Sequence, residues 1–462
     1  MTTIRLHARE GSFVNRLIRS TAIAVIVVCA QFAVVHAQPG ATPEPPPSTP
    51  TTEPAQPPAT PPTTAVPPVT TAPAPAPAGA QPPAADAPPA PAPAPEPEVK
   101  SFAQQFHRNF AGSVQLDYMY IPTEKTGRTI ALDGATAEVS LKLAMDFNNK
   151  ITSSVKVCVA CHGFEVASAY FDLRAADELN FRVGRFTPAF GDFPVRYDPA
   201  NHRTSDKPLI YDMGRMLRIT EWNEGILPAP WVDNGLEING THFFGTHLQT
   251  DYAVYAIGGP RGDTNPTDFD FKLSRDGNSY YIDNNSRPVI GGQLAASAIT
   301  DDLTVTAGVS AMAGTYDPAH VLPFQIYGAH LVFRIKDAFL RMEYVTRRTK
   351  MYLGPDPSME FKYGAESNGT FDPYFTKDGG YVEFEAPITQ RLTAVLREDG
   401  MRRRGNVEVD SPLRSDSAIL RHTVGVAIGI YQSLRLKLSY EYYDFSDFKD
   451  EQVIHVGIAG PF

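Results

Sequence analysis

From residue 101 to the end of the chain, apolar and polar side chains alternate one by one. In residues 434–443, for example, leucine and tyrosine at even positions alternate with Arg435, Lys437, Ser439 and Glu441. A period of two is that of a β-strand whose two faces meet different environments, and it recurs about sixteen times. The sequence therefore predicts an all-β fold. The predicted strands lie near 112–121, 134–147, 149–160, 164–174, 178–187, 235–244, 247–258, 289–299, 302–312, 324–335, 337–348, 379–387, 390–400, 418–431, 433–445 and 451–462.

The connections between these strands alternate between short and long. Tight turns such as 148–149 and 245–246 alternate with longer loops, of which 188–234 is the longest. Short turns on one rim and long loops on the other are typical of outer-membrane barrels. The strands of soluble β-sandwiches and propellers show the same alternation. The composition of the two strand faces must therefore distinguish these folds from a membrane barrel. A barrel of about sixteen strands is too wide for side chains to fill, and its interior must be polar and wet.

The residues on one face of the predicted strands, which are every second residue, supply such an interior. The cations predicted to line the pore are Lys142, Lys156, Arg174, Arg182, Arg334, Arg341, Arg397, Arg435 and Lys437. Carboxylates share this parity, namely Glu138, Asp146, Asp172, Glu237, Asp251, Glu343, Glu383, Glu385 and Glu441. Because the predicted lumen is mixed in charge, the sequence does not decide an ion preference.

The side chains on the opposite face of the strands are apolar, as contact with lipid requires. Aromatic residues near strand ends predict a membrane girdle formed by Tyr118, Tyr120, Tyr440, Tyr442 and Tyr443. The last strand closes on Phe462 and resembles the sorting and assembly signal of bacterial outer-membrane proteins. We therefore expect a transmembrane antiparallel β-barrel of about sixteen strands in a bacterial outer membrane, in contact with lipid and with the barrel assembly machinery.

The first hundred residues have a different composition. Residues 1–37 read as a signal peptide, with four arginines, an apolar stretch and a cut after Ala37. Residues 38–100 hold more than half of the 42 prolines of the 462-residue chain. This Pro/Ala/Thr-rich segment predicts a disordered periplasmic linker, either a spacer that reaches peptidoglycan or a tolerated low-complexity stretch. The barrel is then expected over 101–462.

Charge and motif content narrow the function. The net charge of −10 and the absence of a long Lys/Arg run argue against a nucleic-acid partner. No nucleophile–base arrangement or phosphate-binding loop indicates an enzyme. We expect small solutes or ions as ligands, with a homotrimer as one option for assembly.

The segment from Arg182 to Gly191, RVGRFTPAFG, resembles a stretch of the phosphate-selective (O/P-type) porin family, in which a Phe-x-Pro-x-Phe-Gly element leads from a strand into a loop. The resemblance implies a sixteen-stranded porin that passes small, often anionic, solutes. It also implies that the third long loop, 188–234, folds into the lumen and narrows it; an ordinary solvated loop is the alternative. The predicted constriction residues are Arg196, Asp198, His202, Arg203, Asp206 and Lys207.

One further motif carries chemistry. Cys158, Cys161 and His162 have the spacing of c-type haem attachment, with Met213 as a candidate second iron ligand. A Cys158–Cys161 disulfide and free thiols are the alternatives. The sequence thus leaves two functions open, a porin giving passive or weakly selective diffusion and a haem-carrying barrel for electron transfer.

Overall fold

The computed structural model describes residues 110–121, 134–160, 163–176, 178–212, 225–262, 266–268, 270–271, 281–362, 371–431 and 433–462. These residues form one closed barrel of sixteen strands. The strands are β1 (Phe110–Tyr120), β2 (Gly134–Asp146), β3 (Ile151–Ala160), β4 (Gly163–Ala176), β5 (Leu179–Phe186), β6 (Asp233–Phe244), β7 (Leu248–Ile257), β8 (Val289–Ile299), β9 (Leu303–Thr315), β10 (Pro323–Ile335), β11 (Ala338–Lys350), β12 (Tyr374–Pro387), β13 (Leu392–Gly405), β14 (Asp416–Tyr431), β15 (Leu434–Phe445) and β16 (Glu451–Pro461). The predicted signal peptide and linker lie outside the described residues.

Every strand pairs antiparallel with its neighbours in sequence, and β1 pairs with β16 to close the barrel. The predicted all-β barrel of sixteen strands is therefore confirmed. The largest differences in bounds occur at β12 and β13, which extend five residues toward the long-loop rim beyond the predictions. Polar residues occupy both faces of these extensions, so the alternation stops while the strands continue.

The connections confirm the predicted short and long rims. The tight turns follow the even-numbered strands, and the long connections follow β1, β5, β7, β11 and β13. Among the described residues, single helical turns lie in the connections at Phe193–Val195, Leu209–Tyr211 and α1 (Pro357–Glu360). Within the described ranges, no helix has the length and apolar character needed to cross a membrane.

The outer face of the barrel is apolar and exposed, with Leu116, Val183, Leu236 and Val309 among its side chains. Tyr118, Tyr120 and Tyr440 are also exposed on it, as predicted for a girdle. The prediction for Tyr443 is wrong: this residue has the inward parity of Glu441, its ring is buried, and its hydroxyl donates to Glu441 at 2.8 Å. A closed barrel with an apolar exterior and a polar interior is a transmembrane barrel of the bacterial outer membrane.

Candidate functional site

The third connection on the long-loop rim, residues 187–232, begins at the Phe-x-Pro-x-Phe-Gly element. Phe186 and Phe190 are both buried in the interior of the barrel. Gly191 then turns the chain with φ +66°, and a Cβ on it would lie 1.8 Å from a carboxylate oxygen of Glu343. Only glycine combines this left-handed backbone with so close an approach. The motif therefore steers the chain from the end of β5 into the lumen.

Glu343, on the inner face of β11, receives the loop at this turn. Its carboxylate accepts the backbone N–H groups of Asp192 at 2.9 Å and of Phe193 at 3.3 Å. It also accepts the hydroxyls of Tyr381 at 3.0 Å and of Tyr211, a residue farther along the loop. One wall carboxylate thus binds two separate parts of the loop.

A second attachment lies two strands farther along the same wall, at the inner faces of β13 and β14. Asp206 of the loop is fully buried between the guanidinium groups of Arg397, at 2.5 Å, and Arg421. Asp399 accepts from Arg397 at 3.1 Å and from Arg421 at 2.5 Å, and it also accepts the backbone N–H of Leu209 at 3.2 Å. We call Asp206, Arg397, Asp399 and Arg421 the loop latch.

Charge complementarity fixes the ionisation of Asp206. Burial alone would raise the pKa of its carboxyl, but Arg397 and Arg421 hold that pKa well below its ordinary value. The latch therefore joins two cations to two carboxylates in a site from which water is excluded. Asp206 supplies charge-assisted hydrogen bonds to this site, while Asp399 also binds both arginines and Glu383 lies 3.3 Å from Arg397.

The loop makes further polar contacts with the wall between these attachments. Lys156 of β3 donates to Asp198 at 2.8 Å, and the pKa of Asp198 is lowered because Lys156 and Ser113 outweigh the effect of burial. Lys437 of β15 donates to the loop carbonyls of Pro199 at 2.6 Å and Thr204 at 3.1 Å.

The six residues predicted for the constriction all lie in the part of the loop that packs against the inner wall. Arg196 contacts Glu383 at 3.3 Å, and Arg203 lies 3.9 Å from Glu385. His202 is buried against the carbonyl of Thr204, and Lys207 donates to the carbonyl of Ala229 at 2.7 Å. Asp198 and Asp206 make the contacts described above. The loop is therefore folded into the lumen, although its effect on permeation stays a prediction.

The nine predicted pore-lining cations all lie on the inner face by register, but they occupy different surroundings. Arg341, Arg397 and Lys437 are buried beneath the loop, and Arg435 donates to the carbonyl of Ala200. These side chains fasten the loop instead of facing open space. Arg182 bridges Asp172 and Glu237, whereas the side chains at 142, 174 and 334 are exposed inside the barrel.

Arg421 and Asp399 were missed by the sequence analysis. Arg421 has the same inward parity as Thr423 and Gly425, and Asp399 that of Arg397. Continuing the alternation by two residues, from Thr423 to Arg421 in β14 and from Arg397 to Asp399 in β13, places both side chains on the inner wall. Nothing in the sequence, however, indicates that they meet Asp206.

Among the described residues, open space in the lumen lies opposite the latch, along β2 to β8. A cavity of about 900 Å³ opens near the turn rim between Asn148 and Arg174. A second cavity of about 440 Å³ adjoins it beside the loop and shares Arg182 and Thr241 with the first. We call these two adjoining cavities the passage.

Acidic side chains outnumber basic ones along the passage. Its carboxylates are Asp146, Asp172, Asp192, Glu237 and Asp251, and its cations are Lys150, Arg174 and Arg182. Asp251 accepts hydrogen bonds from Thr241 at 2.6 Å and from Gln249 at 2.8 Å. Among the ion pairs of the described residues, none joins Asp251 to a cation.

Of the haem motif, only Cys158 lies within the described residues; Cys161, His162 and Met213 lie outside them. Cys158 is a free, buried thiol on the inner face, opposite Ser140 of β2 and Glu165 of β4. The haem and disulfide hypotheses stay predictions.

Comparison with protein-family models gives no match, and comparison with curated proteins gives none. Comparison with solved structures gives several matches. OmpT, an outer membrane protein of Vibrio cholerae, is 11% identical, with 77% of this chain and 97% of that chain covered and a TM-score of 0.43. The outer membrane channel DcaP of Acinetobacter baumannii is 13% identical over 77% and 96%, with a TM-score of 0.47. An anion-selective porin from Comamonas acidovorans is 12% identical over 76% and 98%, with a TM-score of 0.45.

Proposed function

We propose that this chain is a diffusion porin in which small hydrophilic solutes cross the outer membrane through the passage beside the folded loop. The observation that carries the proposal is a sixteen-stranded barrel whose loop is fixed to one wall while adjoining cavities remain along the other. Barrels of this strand number are wide enough to hold an aqueous channel. The loop reduces that width without filling it.

The passage favours cations over anions in this proposal. Most of the arginines and lysines that could attract anions are paired with carboxylates at the latch or beneath the loop. Along the passage there are five carboxylates and three cations, and one of the five carboxylates, Asp192, is paired with Arg196 of the loop at 2.8 Å. Charged side chains that line a pore set its ion selectivity. The resemblance to phosphate-selective porins therefore supports the architecture, whereas phosphate selectivity is no part of the proposal.

The test is conductance in planar bilayers under a KCl gradient. We expect single channels with a reversal potential of the sign for K⁺ preference. Replacing Asp146 and Asp251 together by asparagine should move that potential toward zero. The matched control is Asp302→Asn with Asp337→Asn, two carboxylates in the tight turns on the same rim. A folded barrel without conductance would refute the porin, and a Cl⁻-selective channel would refute the cation preference alone. A homotrimer stays a prediction that crosslinking in detergent would test.

A further inference from the structure

A row of polar side chains crosses the outer face of the barrel at the long-loop ends of β11, β12 and β13. Arg348 lies opposite Thr376, which in turn lies opposite Arg404. Adjacent strands are about 4.8 Å apart, so the backbones that carry the two arginines are about 10 Å apart with a hydroxyl between them. We call Arg348, Thr376 and Arg404 the outer row.

The parity of the strands shows that this row faces outward. The neighbouring residue Arg347 points into the barrel, where it contacts Asp268 of a loop at 2.7 Å and is almost fully buried. Arg403 likewise lies over the inward-facing ring of Phe375. Arg348 and Arg404 alternate with these residues and therefore project from the outer surface, where Arg348 is exposed.

Neighbouring side chains hold the outer row in place. The guanidinium of Arg348 lies 4.0 Å from the centre of the Tyr374 ring. Arg404 lies 3.1 Å from Asp378, yet its side chain is still 37% exposed. Asp378 is also bound by Arg402 at 3.3 Å, so this carboxylate is shared by two cations.

The outer row carries an excess of positive charge. Arg348, Arg404 and the adjacent Lys350 face outward, as does Asp416 opposite Arg404 on β14. The pair of Arg402 and Asp378 adds no net charge. Three cations against one carboxylate leave a surplus that suits an anionic ligand.

The depth of the row identifies that ligand. Tyr344 is exposed on the outer face, four residues before Arg348 on β11 and therefore nearer the membrane centre. Its hydroxyl donates to Asp378 at 3.2 Å. Tyrosine at such a position marks the boundary between hydrocarbon and headgroups. The outer row therefore lies at the level of the lipid headgroups on the long-loop side, which is the extracellular side in outer-membrane barrels.

We propose that the outer row binds the phosphate groups of an anionic glycolipid in the outer leaflet of the membrane. Two guanidinium groups that flank a hydroxyl present charge-assisted donors to phosphate oxygens. The Tyr344 ring lies below them, where the first part of an acyl chain would run. The lipid is thereby held at one defined side of the barrel, away from the passage.

The experiment is native mass spectrometry of the detergent-solubilised barrel with diphosphoryl lipid A as the probe. Arg348→Gln with Arg404→Gln should weaken binding about thirtyfold, which corresponds to about 2 kcal/mol for two basic residues near a lipid surface. The matched control is Lys336→Gln with Arg391→Gln, which removes two cations from the turn rim. Heat-modifiable mobility in detergent gels will show that both variants are folded.

Two results would overturn the proposal. One is equal binding of lipid A by the outer-row variant and by the unmodified protein. The other is displacement of lipid A by millimolar inorganic phosphate, which would indicate a site for a free anion instead of a lipid headgroup. Retention of lipid A by the control variant, together with resistance to inorganic phosphate, supports the lipid site.

Discussion

The loop latch predicts a large local effect of the single change Asp206→Asn. This substitution keeps the size of the side chain but removes the negative charge between two guanidinium groups that are almost fully buried. Losing the charged hydrogen bonds of Asp206 costs about 1.5–3 kcal/mol, because Asp399 still binds both guanidinium groups. The attachment at Glu343 is separate and stays intact, so the end of the loop near the latch should open while the barrel remains closed.

The magnitude can be read by hydrogen–deuterium exchange of the backbone amides of residues 204–212. A loss of 1.5–3 kcal/mol speeds exchange through local opening by roughly 10- to 10²-fold, since each 1.4 kcal/mol is a factor of ten. Asp302→Asn is the control, because Asp302 is 79% exposed and pairs only loosely with Lys336 at 4.0 Å. Unchanged protection of 204–212 in Asp206→Asn would show that the latch does not hold the loop.

Four further predictions follow from the same geometry. Gly191→Ala should displace the start of the loop, because the new Cβ would collide with the Glu343 carboxylate; we expect altered single-channel conductance, and wild-type conductance would contradict this. Deleting residues 200–225 should raise the conductance in planar bilayers, and an unchanged value would mean that the loop does not limit the pore. Acidification from pH 7 to about 4 should leave the exchange protection of residues 204–209 unchanged after correction for the intrinsic pH dependence of exchange, since the lowered pKa of Asp206 keeps the latch charged and its stabilisation is lost only as the pH falls through that lowered pKa; a loss of this protection with a midpoint near pH 6 would refute the prediction. Protein made with the cytochrome maturation machinery should show no covalent haem stain because the Cys158 thiol is buried, and a Soret band that is lost in Cys158→Ala would prove the opposite.

The sequence predicts the barrel well because each strand separates lipid from water along its whole length. The alternation around Leu436 and Lys437 reflects that separation. The number of strands and the residues that face inward can therefore be derived from the local pattern alone. Tyr443 shows the limit: an aromatic residue near a strand end fits a membrane girdle, but parity places it inside, against Arg421.

The internal arrangement of the lumen could not be predicted in the same way. Asp206 and Arg421 are far apart in sequence, and their contact depends on the path that the loop takes through the barrel. The sequence shows Arg397 and Lys437 as pore-lining cations, whereas the folded loop covers both. Which charges remain along the passage is therefore a property of tertiary structure.

The pairing of the first strand with the last sets the order in which this molecule can be built. Ser113 of β1 lies opposite Pro461 of β16, and the backbone of Gly112 exchanges two hydrogen bonds with Phe462, each of 2.9 Å. Until those final residues have been synthesised and exported, β1 has an unpaired edge that hydrocarbon cannot satisfy. The barrel therefore cannot close before β16 is available, and a chaperone that shields the edge of β1 until then would protect the chain from edge-to-edge aggregation.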